Sequence, residues 1–278
     1  MKHIGENIKD IRLSRKLKQT DLADHLFTRT AISKIEHNSQ KPSYEDCIQL
    51  ITRLGVSPTE FEYIRNNYSF TPKQEIIYCF INVAYSTQTT IINKLLEKCS
   101  LLDRDPDIAR IEKILLAFKT GKEQIGLTKA KKIIMPLWHD YYSKIDTWTI
   151  LDLYTLNMIF FIFDNETMNQ ISNKAIKMIE TDYPFLKSLE TSFLLNKAII
   201  FIRAKDFTEA LAALNKALPL CNETLRYDKL AITKFRIAIC NKDKKEALHY
   251  LKVLEEMGAT ELVENFALEL KMFDYLFA

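Results

Sequence analysis

Residues 18–38 read KQTDLADHLFTRTAISKIEHN, and the pattern in this stretch decides the fold of the first part of the chain. Short helical patterns lie on either side of a tight break. In the first, Thr20 to Phe27, the residues Leu22, Ala23 and Leu26 fall at i, i+1 and i+4 and so share one helix face. In the second, Arg29 to His37, Ile32 and Ile35 are three apart and close against that face. Thr28 stands where an N-cap residue would accept a bond from an orphan amide. A lone helix under about 12 residues is marginal in water, so these segments need flanking helices as a floor. The polar side of the second carries Arg29, Thr30, Ser33, Lys34 and His37, a donor-rich set suited to base edges in a DNA major groove.

Working outward, a first helix is expected from about Ile4 to Lys16, with Ile4, Ile8, Ile11 and Leu17 inward. Arg12, Arg15, Lys16 and Lys18 gather at its end. The helix dipole favours cations there with or without a nucleic acid, so a structural and a phosphate-binding reading both stand. Ser39 to Pro42 forms the turn out of the second segment, with Lys41 placed for a phosphate. Ser43-Tyr44-Glu45-Asp46 reads as a capping-box start for a fourth helix carrying Cys47, Leu50, Ile51 and Leu54 inward, and Gly55 stops it. Ser57-Pro58-Thr59-Glu60 opens a fifth helix, running to about Asn67. From Met1 to Lys41 there are nine Lys or Arg and five Asp or Glu, nine minus five or +4, against +3 for the whole chain. That local excess is the footprint of a phosphate-binding face.

The run QTDLADHLFTRTAISKIEHNSQKPS resembles the Cro/C1-type helix-turn-helix, with Gln19, Leu22, Ala23, Ile32, Ser33, Ile35, Glu36, Pro42 and Ser43 in the family's positions. It departs from that pattern in spacing: Ala23 to Ile32 is about one residue shorter than the common form, and Phe27-Thr28 replaces the usual G-V-S turn. Together with an all-helical tail, this looks like the Rgg/MutR branch of peptide-responsive regulators. The resemblance implies that Gln19 bonds a backbone phosphate, while Glu36 pairs with a base on the first helix, for which Arg12 is the candidate. It implies a DNA-contacting set of Lys16, Lys18, Gln19, Thr28, Arg29, Thr30, Ser33, Lys34, His37 and Lys41. A single such module buries only about 600–1,000 Å² on DNA, so double-stranded promoter DNA is expected to be read by a homodimer at paired half-sites.

The chain as a whole is expected to be all-α. A five-helix helix-turn-helix domain occupies 1–66, a short linker follows, and a TPR-like helical repeat domain fills 71–278. Five glycines and seven prolines in 278 residues are few against ordinary shares of about 7% and 5%. Thr71-Pro72-Lys73-Gln74 is a capping box that opens the second domain. Helices are expected near 72–85, 88–99, 106–119, 128–143, 147–163, 166–180, 185–203, 207–218, 224–240, 244–257 and 260–276. Lys205-Asp206-Phe207-Thr208-Glu209-Ala210-Leu211 matches Lys242-Asp243-Lys244-Lys245-Glu246-Ala247-Leu248, and Leu156-Asn157 resembles Leu195-Asn196 one unit earlier. Recurrence at roughly 34–40 residues is the signature of stacked helix pairs, whose first helices line a concave groove.

The groove is the expected ligand site. Asn157 and Asn196 sit mid-helix among apolar residues, where a carboxamide needs partners. An extended peptide would supply them, since a carboxamide bonds a backbone N–H and C=O at once; a bond to a neighbouring helix is the alternative. Tyr154, Phe161, Phe193 and Ile200 flank the two Asn as pocket or core. Arg203, Arg226 and Arg236 could receive a ligand carboxylate, with Arg203 and Arg236 completing the candidate peptide-binding set. In the family, a basic residue beside the first Asn assists the peptide, whereas Met158 follows Asn157 here. The final helix, with Leu262, Phe266, Leu270, Phe273, Leu276 and Phe277, is apolar enough to be expected as the homodimer interface.

Other function classes find no support. Neither a phosphate-binding glycine loop, nor a zinc-protease pair, nor a nucleophile elbow occurs, so no catalytic residue and no cofactor are expected. Five scattered cysteines without a C-x-x-C, and five histidines without matching spacing, suggest buried free thiols and no metal. No apolar run of about 18 residues and no signal-like leader point to a cytoplasmic protein without a membrane partner. A repeat domain that only dimerises or binds a protein partner is the competing reading.

Overall fold

The computed structural model describes residues 1–83, 89–102, 104–121 and 126–277. Those residues form sixteen α-helices and no strand, and the chain divides into Met1–Glu75 and Ile76–Ala278.

The first unit holds α1 (Ile4–Ser14), α2 (Gln19–Ala23), α3 (Arg29–Glu36), α4 (Tyr44–Arg53) and α5 (Pro58–Arg65). Their starts follow the expected caps. Thr28, Ser43 and Ser57 accept backbone N–H bonds from Ala31, Asp46 and Glu60, each at 3.1 Å, and Gly55 ends α4 at φ +65°. Ile8, Leu22, Ile32, Leu50, Leu54 and Phe61 are buried in one core. The structure corrects the expected helix over Thr20–Phe27. Its helical part stops at Ala23, because Asp24 turns to φ 41°. The Arg53 guanidinium holds that end by donating to the Leu22 and Ala23 carbonyls at 2.9 and 2.7 Å and to Asp24 Oδ2 at 2.8 Å. The helical period is broken before it reaches Leu26, which is 58% exposed rather than inward.

In the second unit, α6 (Pro72–Val83) and α7 (Thr89–Cys99) precede the hairpin of α8 (Pro106–Gly121) and α9 (Gly126–Leu137). The expected ends at 85 and 88 lie outside the described residues. Pro136 cannot donate to the carbonyl four residues back, and the helix widens into a π turn over Trp138–Tyr142. Next come α10 (Ile150–Ile159), which tightens into a 3₁₀ turn over Phe160–Ile162, then α11 (Asn165–Asp182), α12 (Lys187–Arg203), α13 (Phe207–Glu223), α14 (Tyr227–Cys240), α15 (Lys244–Glu256) and α16 (Thr260–Met272). Helix α13 runs to Glu223, past the expected end near 218, and carries Pro219 inside.

The repeated Lys-Asp pair has a structural explanation. Lys205 and Lys242 adopt left-handed φ of 61° and 58°. The next amides, of Asp206 and Asp243, reach back to the Phe201 and Ala238 carbonyls at 2.9 and 2.8 Å. This 6→1 bond closes the preceding helix. Each Asp carboxylate then caps the following helix by accepting from Glu209 or Glu246 N–H, at 3.2 and 2.9 Å. One dipeptide thus ends one helix and starts the next, as a TPR-like hairpin requires. Ala210, Ala213 and Ala217 are buried where α13 nests on α12, and α12 also packs on α10 and α14.

The apolar stripe of α16 is largely used within its own chain. Phe266, Leu270 and Phe273 are buried, Leu262, Leu276 and Phe277 half-buried, and Phe266 meets Phe235 edge-to-face at 5.4 Å. The residues that suggested a sticky last helix therefore mostly complete the array.

Candidate functional site

The first candidate surface is the outer side of α3. Ile32, Ile35 and Glu36 point into the core, which leaves Arg29, Thr30, Lys34 and His37 exposed and Ser33 half-buried on the opposite side. A buried ion pair holds the helix in this orientation. Arg12 Nε and Nη2 donate to the two Glu36 oxygens at 2.5 and 2.8 Å, and Nη1 donates to the Leu17 carbonyl at 2.7 Å. Burial opposes the Glu36 carboxylate, yet the bonds from Arg12 and Gln19 outweigh it and hold the carboxyl below its ordinary pKa. The Arg12–Glu36 pairing implied by the family resemblance is present.

Gln19 stands somewhat apart from its expected role. Its Nε2 donates to Glu36 Oε2 at 2.9 Å, so it braces α2 against α3, half-buried, with only part of its amide left for an anion. Thr28 is exposed but spends its hydroxyl on the N-cap. His37 donates Nδ1–H to the Ser33 carbonyl at 2.7 Å. Lys16, Lys18 and Lys41 are all exposed, with Lys16 at φ 58° just past α1. Sequence reasoning missed Arg53, whose role depends on carbonyls thirty residues away.

The second candidate is a cleft of about 300 Å³ in the repeat domain. Asn157 of α10 and Asn196 of α12 meet there: Asn196 Nδ2 donates to Asn157 Oδ1 at 3.0 Å. Among the described residues, the Asn157 NH₂ and the Asn196 carbonyl oxygen have no hydrogen-bond partner, which leaves one donor and one acceptor. Around them lie Phe161, Ile200, Arg203 and Arg236, as expected, and also Phe118, Met158, Phe160, Met168, Ile199 and Glu269, which the sequence reading did not select. Tyr154 and Phe193 do not line it. Both are buried; Phe193 is fully enclosed and packs edge-to-face on Phe160 at 6.3 Å. They belong to the core, because their helix faces point at neighbouring helices rather than at the groove.

The three arginines also separate. Arg236 is 7% exposed and fully engaged, with Nε and Nη2 on the Glu269 carboxylate at 2.8 Å each and Nη1 on the Leu195 carbonyl at 2.7 Å. Arg226 is absent from the cleft and bonds Asp228 and Ser188. Arg203 is exposed at the cleft wall.

Among the described residues no cluster of three or more His, Cys, Asp or Glu could hold a metal, and no helix is long and apolar enough to cross a membrane. The five cysteines are free, and burial pushes the Cys99 and Cys240 thiols up to about 11.

Residues 8–61 match the family model HTH_3, Helix-turn-helix, so the first unit is a helix-turn-helix domain. No curated protein sequence matches the chain. Its fold is that of several solved structures over nearly the whole length. A candidate transcriptional regulator from Listeria monocytogenes EGD-e is 19% identical, with 98% of this chain and 97% of that one covered and a TM-score of 0.71. Bacillus thuringiensis PlcR, in complex with the peptide PapR7 and DNA, is 16% identical, with 95% and 99% covered and a TM-score of 0.68. The SHP pheromone receptor Rgg2 of Streptococcus dysgalactiae is 14% identical, with 97% and 99% covered and a TM-score of 0.65. These three are a candidate transcriptional regulator, a protein seen with a peptide and DNA, and a pheromone receptor.

Proposed function

We propose that the chain is a transcription regulator of the Rgg type: it reads promoter DNA through α3, binds a short signalling peptide in the repeat-domain cleft, and works in the cytoplasm as a homodimer. The observation that carries the DNA part is the exposed set Arg29, Thr30, Ser33 and Lys34, held outward by the buried Arg12–Glu36 pair. Lys16, Lys18, Gln19 and Lys41 supply phosphate contacts around it. The Asn157–Asn196 pair supports the peptide part. Its remaining donor and acceptor are the groups that a peptide C=O and N–H would take, and PlcR, which shares the fold, is seen in complex with a peptide and DNA. For the dimer, a second stripe on the last helices supports the reading: Leu268, Met272 and Tyr275, at i, i+4 and i+7, are 64%, 54% and 50% exposed.

The test is selection of bound sequences from random duplexes by the purified full chain. Titration of the winner, with and without synthetic peptide, follows. Expected are a selected half-site motif, a salt-dependent affinity and a shift in that affinity when peptide is added. Absence of a selected motif overturns the DNA reading. The mutual bond of the two Asn, with Arg236 already neutralised, favours a second reading in which the repeat domain is only a dimerisation scaffold. Operator affinity indifferent to every peptide would decide for it.

A further inference from the structure

Resting on the cleft reading above, we infer that the cleft selects a ligand bearing a carboxylate, which Arg203 receives. Of the three arginines that could meet a carboxylate, two are spent within the chain. Arg226 is bonded to Asp228 and Ser188, and Arg236 is forked onto Glu269 and capped by the Leu195 carbonyl. Glu269 occupies the buried guanidinium just as a ligand carboxylate would, so that position is closed to an incoming anion. Arg203 has neither a hydrogen bond nor an ion pair among the described residues. The charged groups lining the cleft are Arg203, Arg236 and Glu269, with a net charge of +1.

The uncompensated charge sits beside an apolar wall. Met158, Phe160, Phe161 and Ile200 give a side chain of the ligand somewhere to bury, and the Asn pair gives its backbone a partner. A guanidinium at such an edge is less hydrated than an ammonium and matches a carboxylate with two parallel N–H bonds. A peptide can supply the carboxylate from its C-terminus or from an Asp or Glu side chain, and both fit this geometry.

The experiment uses the full chain and pools of synthetic N-acetylated apolar heptapeptides in four arms: free acid or C-terminal amide, each with Asp or Asn at one internal position. Bound peptides are recovered by size exclusion and counted by mass spectrometry. The carboxylate-bearing arms should be retained roughly tenfold over the neutral amide–Asn arm, and the better of them identifies the source of the carboxylate. In Arg203→Glu, with an unchanged far-ultraviolet circular dichroism spectrum confirming its fold, the preference should turn toward the neutral arm and toward a fifth pool carrying Lys. Equal retention of all arms, abolished by Asn157→Ala, overturns the inference and leaves the peptide cleft standing, as does a carboxylate preference that survives Arg203→Glu. Retention of no arm overturns both.

Discussion

Breaking the Arg12–Glu36 pair should cost far more than replacing it. The pair is 6% and 3% exposed, so Glu36→Leu strands a guanidinium that keeps only the Leu17 carbonyl, and Gln19 loses its acceptor. Arg12→Met strands a carboxylate with Gln19 alone. An uncompensated buried charge costs about 3–5 kcal/mol, a large part of the roughly 5–15 kcal/mol that holds a domain together. In Arg12→Met/Glu36→Leu neither charge is left, and apolar side chains of similar volume fill the site, which by itself is neutral or stabilising; the Leu17 carbonyl and the Gln19 amide lose partners, so a net loss of about 0–2 kcal/mol is expected. The double variant should therefore be more stable than either single one, with a coupling of about 4 kcal/mol or more. Because the chain has two units, a single melting temperature is ill-defined. The assay is native-state hydrogen exchange at the amides of α1 and α3, which reads local opening directly. The pair has a pH signature too. Since the Glu36 carboxyl is held below its ordinary pKa, its contribution is complete above the unfolded value of about 4.3 and is lost as pH falls below that through the folded value. Exchange protection in α3 should drop there, and in Glu36→Leu this drop should vanish. A double variant as unstable as the two single losses added together would refute the account, because it would mean that the two residues act by packing and not by neutralising one another.

Other consequences are open to simpler measurements. Lys229 is buried and donates to Ser188 and Ser192, and burial, helped by Arg226, brings its ammonium down to about 7. The unfolded chain holds that proton to about 10.4, so stability of the repeat domain to urea should rise between pH 7 and 9, with Lys229→Met flattening the rise. Phe193→Ala, at a fully enclosed position, should cost about 3–5 kcal/mol, whereas Phe161→Ala at the 38% exposed cleft wall should cost under about 1 kcal/mol; denaturant titration separates them. On selected DNA, Lys41→Ala should weaken every duplex alike and reduce the salt slope by about one, while Arg29→Ala should relax sequence preference at one base position.

What was legible in the sequence follows from how far apart the interacting residues lie. Helices and their starts rest on contacts three or four residues long, so the Thr28, Ser43 and Ser57 caps stood in the letters themselves, whereas Asp206 and Asp243 stood out only as a repeat until the structure showed them capping. Long-range features were legible only when a repeat or a resemblance carried them. Asn157 and Asn196 meet across 39 residues because stacked repeats bring equivalent positions together, and the Arg12–Glu36 pair came from the family pattern. Where neither applied, the reading stopped at residue type. Leu26 looked inward until Arg53, gripping the end of α2 from another helix, fixed a turn that ended the helical period. Tyr154 and Phe193 could not be told from Phe161, since an aromatic on a first helix faces either the groove or the next helix according to packing angle.

The same limit explains why three arginines of equal promise proved unequal. Nothing near Arg236 in the chain announces Glu269, which lies 33 residues further on. Yet that one carboxylate changes the chemistry of the cleft. Without it, a buried guanidinium in the cleft would stand open to an incoming anion. With it, Arg236 becomes a brace tying α14 to α16 and to the Leu195 carbonyl of α12, and the cleft's unspent charge moves outward to Arg203. A ligand carboxylate strong enough to displace Glu269 would have to loosen the last helix, whereas one received by Arg203 leaves the array intact. The cheaper of these two is the route a ligand takes, because displacing the internal partner returns a charge to a site shielded from water.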